Sequence, residues 1–334
     1  MKKISKILLT FLCLTLLLTA CGQAAPQATA PTEQVPTEQV TQAAAETATE
    51  AAQPETVTFV DGRDKEITVA KNPQRVVCTY GSYCPLWYEC GGTLVYRRDV
   101  YSSYTLSQEL EAVPVLADGG DISAEIILAE PDLVIMNNTK ADVEMAELLE
   151  AAGVPCLLYN YNTVEQYVDL VKIFTDITDR PDLYKTCAVD VKARVDAVRE
   201  KVAGHSVEAV LIMPTTTPSF TSATTMCGSM LRDLNVKLLS YPDGDITKEK
   251  YEFSMEKLLE IDPQFILCAG GGADQEAAVE RTLSWPGFTD LTAYKEGRYR
   301  HLDVSIYMYK PNSRYAEAYE QLAAFLYPDL FPEA

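Results

Sequence analysis

The chain has 334 residues, 47% of them hydrophobic, and a formal charge of −20 at pH 7. That length accommodates two lobes of ordinary size. So negative a charge argues against nucleic acid as a partner, since phosphate contacts need basic patches, and two histidines are too few for a cleft that captures bare Zn²⁺ or Mn²⁺.

Lys2, Lys3 and Lys6 precede an uncharged apolar run over residues 7–18. The run is too short for a membrane-spanning helix, and its basic flank marks residues 1–20 as a signal peptide. It ends in Leu18-Thr19-Ala20-Cys21-Gly22, which resembles the lipobox of bacterial lipoproteins. The resemblance implies that Cys21 carries a thioether-linked diacylglycerol and opens the mature chain. Each buried CH₂ of the acyl chains is worth about 0.8 kcal/mol, enough together to anchor a protein on the extracytoplasmic face of the cell membrane. Residues 21–55 are expected to be a disordered tether. They are dominated by Pro, Thr, Glu, Gln and Ala, repeat Pro31-Thr32-Glu33-Gln34-Val35 as Pro36-Thr37-Glu38-Gln39-Val40, and contain no aromatic or basic residue. Loss of the three signal lysines takes the charge from −20 to −23, which suits a docking partner that presents basic residues.

From residue 56 onward short apolar runs alternate with helical patterns, the signature of α/β layers. Strands are expected at 75–79, 93–96, 133–136 and 156–159, with helices near 85–90, 124–129, 143–152 and 164–177. One long helix is expected over 180–204. Pro181 suits its first turn and Gly204 its end, and Val191, Val195, Val198 and Val202 make one apolar face. Strands follow at 208–213, 265–269 and 301–304, and helices near 226–234, 255–261, 273–283 and 314–326. The fold class is therefore α/β, two lobes with mainly parallel sheets joined by a single long helix: an N-terminal lobe over 56–179, a connecting helix over 180–204 and a C-terminal lobe over 205–334. A single connecting helix predicts little hinge motion.

An internal echo supports two lobes. Ser123-Ala124-Glu125-Ile126-Ile127-Leu128 leads to Pro131-Asp132-Leu133, and Ser254-Met255-Glu256-Lys257-Leu258-Leu259 leads to Pro263-Gln264-Phe265. Each serine can cap its helix, and each glutamate lies in a first turn, where the helix dipole favours a carboxylate. Seven cysteines follow Cys21: Cys78, Cys84, Cys90, Cys156, Cys187, Cys227 and Cys268. The odd number leaves at least one unpaired, and no Cys-x-x-Cys spacing marks a zinc or redox site. Mostly free thiols are expected, with Cys84 and Cys90 the pair to examine for a bridge.

The chain resembles the iron-siderophore, haem and cobalamin class of ABC-transporter substrate-binding proteins over about residues 56–330. The resemblance rests on Asp61-Gly62-Arg63, on Asn72-Pro73-Gln74-Arg75-Val76-Val77, on the two Ser-x-Glu helices, and on Trp285-Pro286 followed by Gly297-Arg298 and Leu302-Asp303. It implies an N-terminal hairpin, and it implies that Glu125 and Glu256 meet arginines of an importer's permease dimer, which works with an ATPase. It implies a ligand between the lobes, at the carboxyl ends of strands. Loops answering that description carry Tyr80, Tyr83, Trp87, Arg97, Arg98, Tyr101 and Tyr104, and from the second lobe residues 215–220, Tyr241, residues 270–272, Tyr307, Tyr309 and Lys310. The aromatics suit a flat ligand and the cations an anionic one. The expected ligand is an iron chelate (siderophore or haem) or a corrinoid, with no resident cofactor and no protein metal site, and the protein is expected to be a monomer.

Two other classes, a binding protein for bare Zn²⁺ or Mn²⁺ and a secreted α/β enzyme, fit the residues less well. For direct metal capture only His205 and His301 are present, at a helix end and in a strand. For an enzyme, no Gly-x-Ser-x-Gly, Walker or His-Glu-x-x-His motif occurs, and Gly270-Gly271-Gly272 lacks the Gly-Lys of a phosphate loop. No catalytic residue is assigned.

Overall fold

The computed structural model describes residues 55–100, 104–117, 122–239, 248–270 and 274–332. The signal peptide, the tether up to residue 54, Cys21, Tyr101, Tyr241 and residues 271–272 lie outside them. The described part opens with an antiparallel hairpin, β1 (Thr56–Val60) and β2 (Glu66–Ala70). The Gly-Arg at its tip clamps it to the first lobe. Gly62 N donates to Leu158 O at 2.6 Å, and a Cβ at Gly62 would sit 3.0 Å from that oxygen. Arg63 donates to buried Asp61 and to Glu150. Burial works to raise the Glu150 pKa, but hydrogen bonds from Arg63 and Lys65 outweigh it and hold it below the usual value.

The first lobe is a four-stranded parallel sheet of β3 (Val76–Cys78), β4 (Tyr96–Arg97), β5 (Leu133–Met136) and β6 (Cys156–Leu158), in the order β4-β3-β5-β6. Every residue of β3, β5 and β6 is buried, as expected of strands covered on both faces. The second lobe contains β7 (Val207–Met213), β8 (Ser219–Thr221), β9 (Val236–Leu238), β10 (Lys250–Glu252), β11 (Phe265–Ala269) and β12 (Tyr299–Leu302). Strands β9, β7, β11 and β12 run parallel, whereas β8 runs antiparallel to both of its neighbours, β7 and β10. The turn after Met213 returns the chain along the end of β7, so Ser219 and Phe220, expected in a loop, belong to a strand. Strands expected at 93–96 and 301–304 lie at Tyr96–Arg97 and Tyr299–Leu302.

Residues 181–201 run as a continuous helix between β6's lobe and β7, through α-helix Pro181–Tyr184, a π turn at Lys185–Val189 and α-helix Asp190–Lys201. The Tyr167 hydroxyl donates to the Cys187 carbonyl inside the π turn, a side-chain intrusion of the kind that accompanies such bulges. Val191, Val195, Val198 and Val202 are all buried, and Gly204 ends the segment at φ +81°. Arg199 on this helix pairs with Glu165 of the first lobe at 2.8 Å and with Asp233 of the second. One hydrophobic cluster runs from Val76 and Leu133 through the connecting valines to Leu211 and Leu326, so both lobes share a core. A second cluster covers the far face of the first sheet, and a third, with Phe288 and Trp285, covers that of the second.

The repeated Ser-x-Glu helices differ at their caps. Ser254 caps Met255–Ile261 by accepting from Lys257 N at 3.2 Å. Ser123 instead is the first residue of Ser123–Leu128, whose N-cap is Ile122 with no side-chain bond, because the helix begins one residue earlier than the echo predicts. All seven described cysteines are free and buried. Cys84 and Cys90 form no bridge, and the Cys84 thiol donates to Tyr80 O at 3.7 Å. Among the described residues no helix is long and apolar enough to cross a membrane.

Candidate functional site

Both sheets end in loops that face one cleft. Tyr80 follows β3, Asn137 follows β5 and Asn160 follows β6; across from them Met213 ends β7 and Ala269 ends β11. The cleft has a volume of about 290 Å³, and Thr221, Thr225, Met226, Glu249, Lys250, Tyr307, Met308 and Lys310 complete its second wall. Parallel strands place their carboxyl ends together, which is why a crevice forms here and not at the opposite edge.

Lys310 crosses the cleft floor. Its Nζ donates to Asn160 Oδ1 at 2.9 Å, to the Tyr161 carbonyl and to Asn162 Oδ1 at 3.3 Å, and it lies 4.6 Å from the Tyr161 ring centroid. Burial pushes this ammonium down to about 7, against the pull of Glu249. Nearby, Asn312 donates to Ser82 O at 2.8 Å and accepts from the Tyr161 hydroxyl at 2.8 Å. Tyr104 donates to the Lys310 carbonyl. The segment from Lys310 to Asn312, part of the second lobe, is thus bonded into the first.

Of the residues picked from sequence, the structure brings Tyr80, Tyr307 and Lys310 to the cleft. Tyr307 lines it with its ring, while its hydroxyl donates to Ala318 O. Tyr83, Trp87 and Arg97 do not line it. Tyr83 and Trp87 are fully buried, with the Tyr83 hydroxyl on Tyr159 O and the Trp87 indole N–H on Thr93 O. The Arg97 guanidinium is spent inside the first lobe on the carbonyls of Leu110 and Arg98 and on Asp99 at 3.5 Å. Arg98 is half-buried and donates to Ala117 O, and Tyr309 is half-buried beside the loop; neither lines the cleft. Five tyrosines pack ring against ring between the lobes: Tyr83–Tyr161 at 6.0 Å, Tyr161–Tyr315 at 6.0 Å, Tyr167–Tyr315 at 5.3 Å and Tyr315–Tyr319 at 6.0 Å.

The sequence reading missed Asn137, Asn160, Asn162, Met213, Met226 and Met308. Their signal was positional rather than chemical, since each asparagine stands one to four residues beyond a correctly placed strand. Glu125 and Glu256 lie in first turns of their helices; Glu125 accepts from Ala117 N at 3.3 Å and Glu256 is exposed. His301 is on β12, its Nε2 3.3 Å from Thr282 Oγ1, and burial lowers its pKa to about 4. His205 packs edge-on to Tyr327. Neither histidine lines the cleft.

A family model for periplasmic binding proteins matches residues 76–305. The chain belongs to the periplasmic binding protein family. As a periplasmic binding protein it is built to hold a cargo and not to transform it, so it is not an enzyme. A Bacillus subtilis (strain 168) protein described as the uncharacterized ABC transporter substrate-binding lipoprotein YvrC is 22% identical over 287 residues, covering 83% of this chain and 87% of its own. The apo periplasmic haem-binding protein RhuT from Roseiflexus sp. RS-1 superposes with a TM-score of 0.63 at 21% identity, over 77% of this chain and all of that one. A protein of an ABC-type Fe³⁺-hydroxamate transport system from Saccharomonospora viridis DSM 43017 gives 0.64 at 19% identity, over 80% and 98%. The chain shares its fold with both structures.

Proposed function

We propose that this periplasmic binding protein is a lipid-anchored, extracytoplasmic component of an ABC importer that captures a metal chelate, an iron siderophore, haem or corrinoid, and hands it to the permease. The observation that carries the reading is the cleft lined from both lobes at the carboxyl ends of both sheets, together with likeness to a protein named as an ABC transporter substrate-binding lipoprotein and to structures named for haem and Fe³⁺-hydroxamate. In this reading Cys21 bears the lipid, residues 21–55 are the tether, and Glu125 and Glu256, one in each lobe, meet permease arginines by charge-assisted hydrogen bonds. The mature charge of −23 fits a basic docking face.

The test is to recover the protein from the membrane fraction of its host and record the absorption spectrum and mass of what it carries. A visible chromophore with the mass of an iron or cobalt chelate is expected, and Cys21→Ala should move the protein out of that fraction. A sugar, peptide or amino acid in the cleft overturns the chelate reading, and a variant still bound to membranes overturns the anchor.

A further inference from the structure

Two carboxamides, Asn137 and Asn160, line the cleft's first wall. Asn137 and Asn160 extend the neighbouring parallel strands β5 and β6, whose register pairs Met136 with Leu158. Asn137 Oδ1 is buried and has no hydrogen-bond partner among the described residues. Asn160 Oδ1 is held by Lys310, which leaves the Asn160 Nδ2 hydrogens with no protein acceptor among the described residues. Both residues therefore border the same crevice, one with a buried oxygen that lacks a donor and one with N–H hydrogens that lack an acceptor.

The cation on the cleft floor is committed to the protein. The Lys310 ammonium has three hydrogens and three acceptors, Asn160 Oδ1, Tyr161 O and Asn162 Oδ1, so none remains for a ligand anion. Arg97 is buried away from the cleft with its own acceptors. At the rim Glu249 and Lys250 carry opposite charges. Desolvating a polyanionic chelate against such a wall gains no charge partner on the floor, whereas an orphaned carboxamide oxygen discriminates strongly in favour of a ligand that supplies its donor.

We infer that Asn137 and Asn160 form a reading pair for carboxamides, and that the cleft selects chelates whose periphery carries neutral amide groups over chelates that carry several carboxylates or catecholates. The inference rests on the chelate-binding reading above and narrows it to one chemical class.

The experiment is calorimetric titration of the full chain, freed of bound ligand, with four probes. Cyanocobalamin has a rim of primary amides and ferrioxamine B has backbone amides; hemin carries two carboxylates and ferric enterobactin three catecholates. At least one amide-bearing probe should bind more tightly than both anionic ones, by about tenfold or more. Asn137→Leu should weaken that probe by about ten- to a hundredfold, while Asn137→Asp, which keeps an acceptor oxygen, should lose less. The melting temperature of Asn137→Leu should stay level or rise, because the change removes an unsatisfied buried oxygen; a residue that served only the fold would give the opposite sign. Tighter binding of hemin or ferric enterobactin overturns the selectivity, and unchanged affinity in Asn137→Leu overturns the role of Asn137. Binding of none of the four overturns the chelate reading itself, and the inference with it.

Discussion

Lys310 is 6% exposed, with three neutral oxygens and a ring face around its ammonium and Glu249 as the carboxylate whose charge reaches it. Burial moves its folded-state pKa from 10.5 to about 7. Below that value both folded and unfolded chains hold the proton, and the whole cost of burying the charge is present. Between about 7 and 10.5 the unfolded chain binds more protons, so stability rises with pH, by up to about 1.4 kcal/mol per pH unit for one group. Cys187, drawn down to about 7 chiefly by its hydrogen bond with Cys90, adds a rise in the same window; the informative comparison is therefore with Lys310→Met. Urea unfolding from about pH 7 to about pH 9 should give a shallower rise for Lys310→Met than for wild type. Equal slopes would mean that the ammonium is solvated in solution and does not lie on the cleft floor. The same scale explains what the sequence could and could not disclose. Tyrosine, tryptophan and arginine beyond a strand end look alike whether they face a ligand or the interior. Only packing decided that Tyr83 joins the tyrosine cluster, that Trp87 is buried edge-on against Phe174 and that Arg97 turns inward to Leu110. Tyr80, Tyr307 and Lys310 reached the cleft from the same composition.

Elements were more legible, for a physical reason. The helix Val164–Ile177 and the strands Leu133–Met136 and Phe265–Ala269 lie where periodicity and apolar runs put them, because burial on one helix face or on both sheet faces imposes a pattern strong enough to read. The short strands β8, β9 and β10, three residues each, give too few alternations to register. The paired helices Ser123–Leu128 and Met255–Ile261 sit one per lobe, each just before a central strand. As simple first-turn carboxylates, Glu125 and Glu256 would each contribute at most about 1 kcal/mol to stability through the helix dipole. As docking residues they should leave melting temperature and ligand affinity nearly unchanged when both are replaced by lysine, while uptake through the cognate importer in reconstituted vesicles collapses. Glutamine at both positions should cause a smaller loss, since it removes attraction without adding repulsion. Normal uptake by the folded double-lysine variant would leave the two glutamates as architecture only.

For the folded part as a whole, the question is how far the lobes move when cargo enters. Three features oppose wide closure. The lobes are joined by one helix over residues 181–201 whose valine face is buried against both. Arg199 on that helix is tied to Glu165 on one side and Asp233 on the other, with the Tyr319 hydroxyl completing the Asp233 carboxylate at 2.8 Å. The tyrosine stack and the Lys310–Asn312 bonds fasten the lobes again at the cleft floor. A close-packed core does not deform smoothly, so opening requires breaking such contacts as a set. Motion should instead be confined to loops around the cleft. Spin labels at Leu128→Cys in the first lobe and Leu259→Cys in the second test this, because both positions are exposed and all seven described native thiols are buried. The distance between labels should change by less than about 2 Å on loading, the range of pre-organised binding sites. A change well beyond that, or two distance populations in the free protein, would mean that the connecting helix bends at its π turn. Arg199→Met should then leave the unliganded distance distribution as broad as in wild type; in a rigid pair of lobes the same substitution should broaden it.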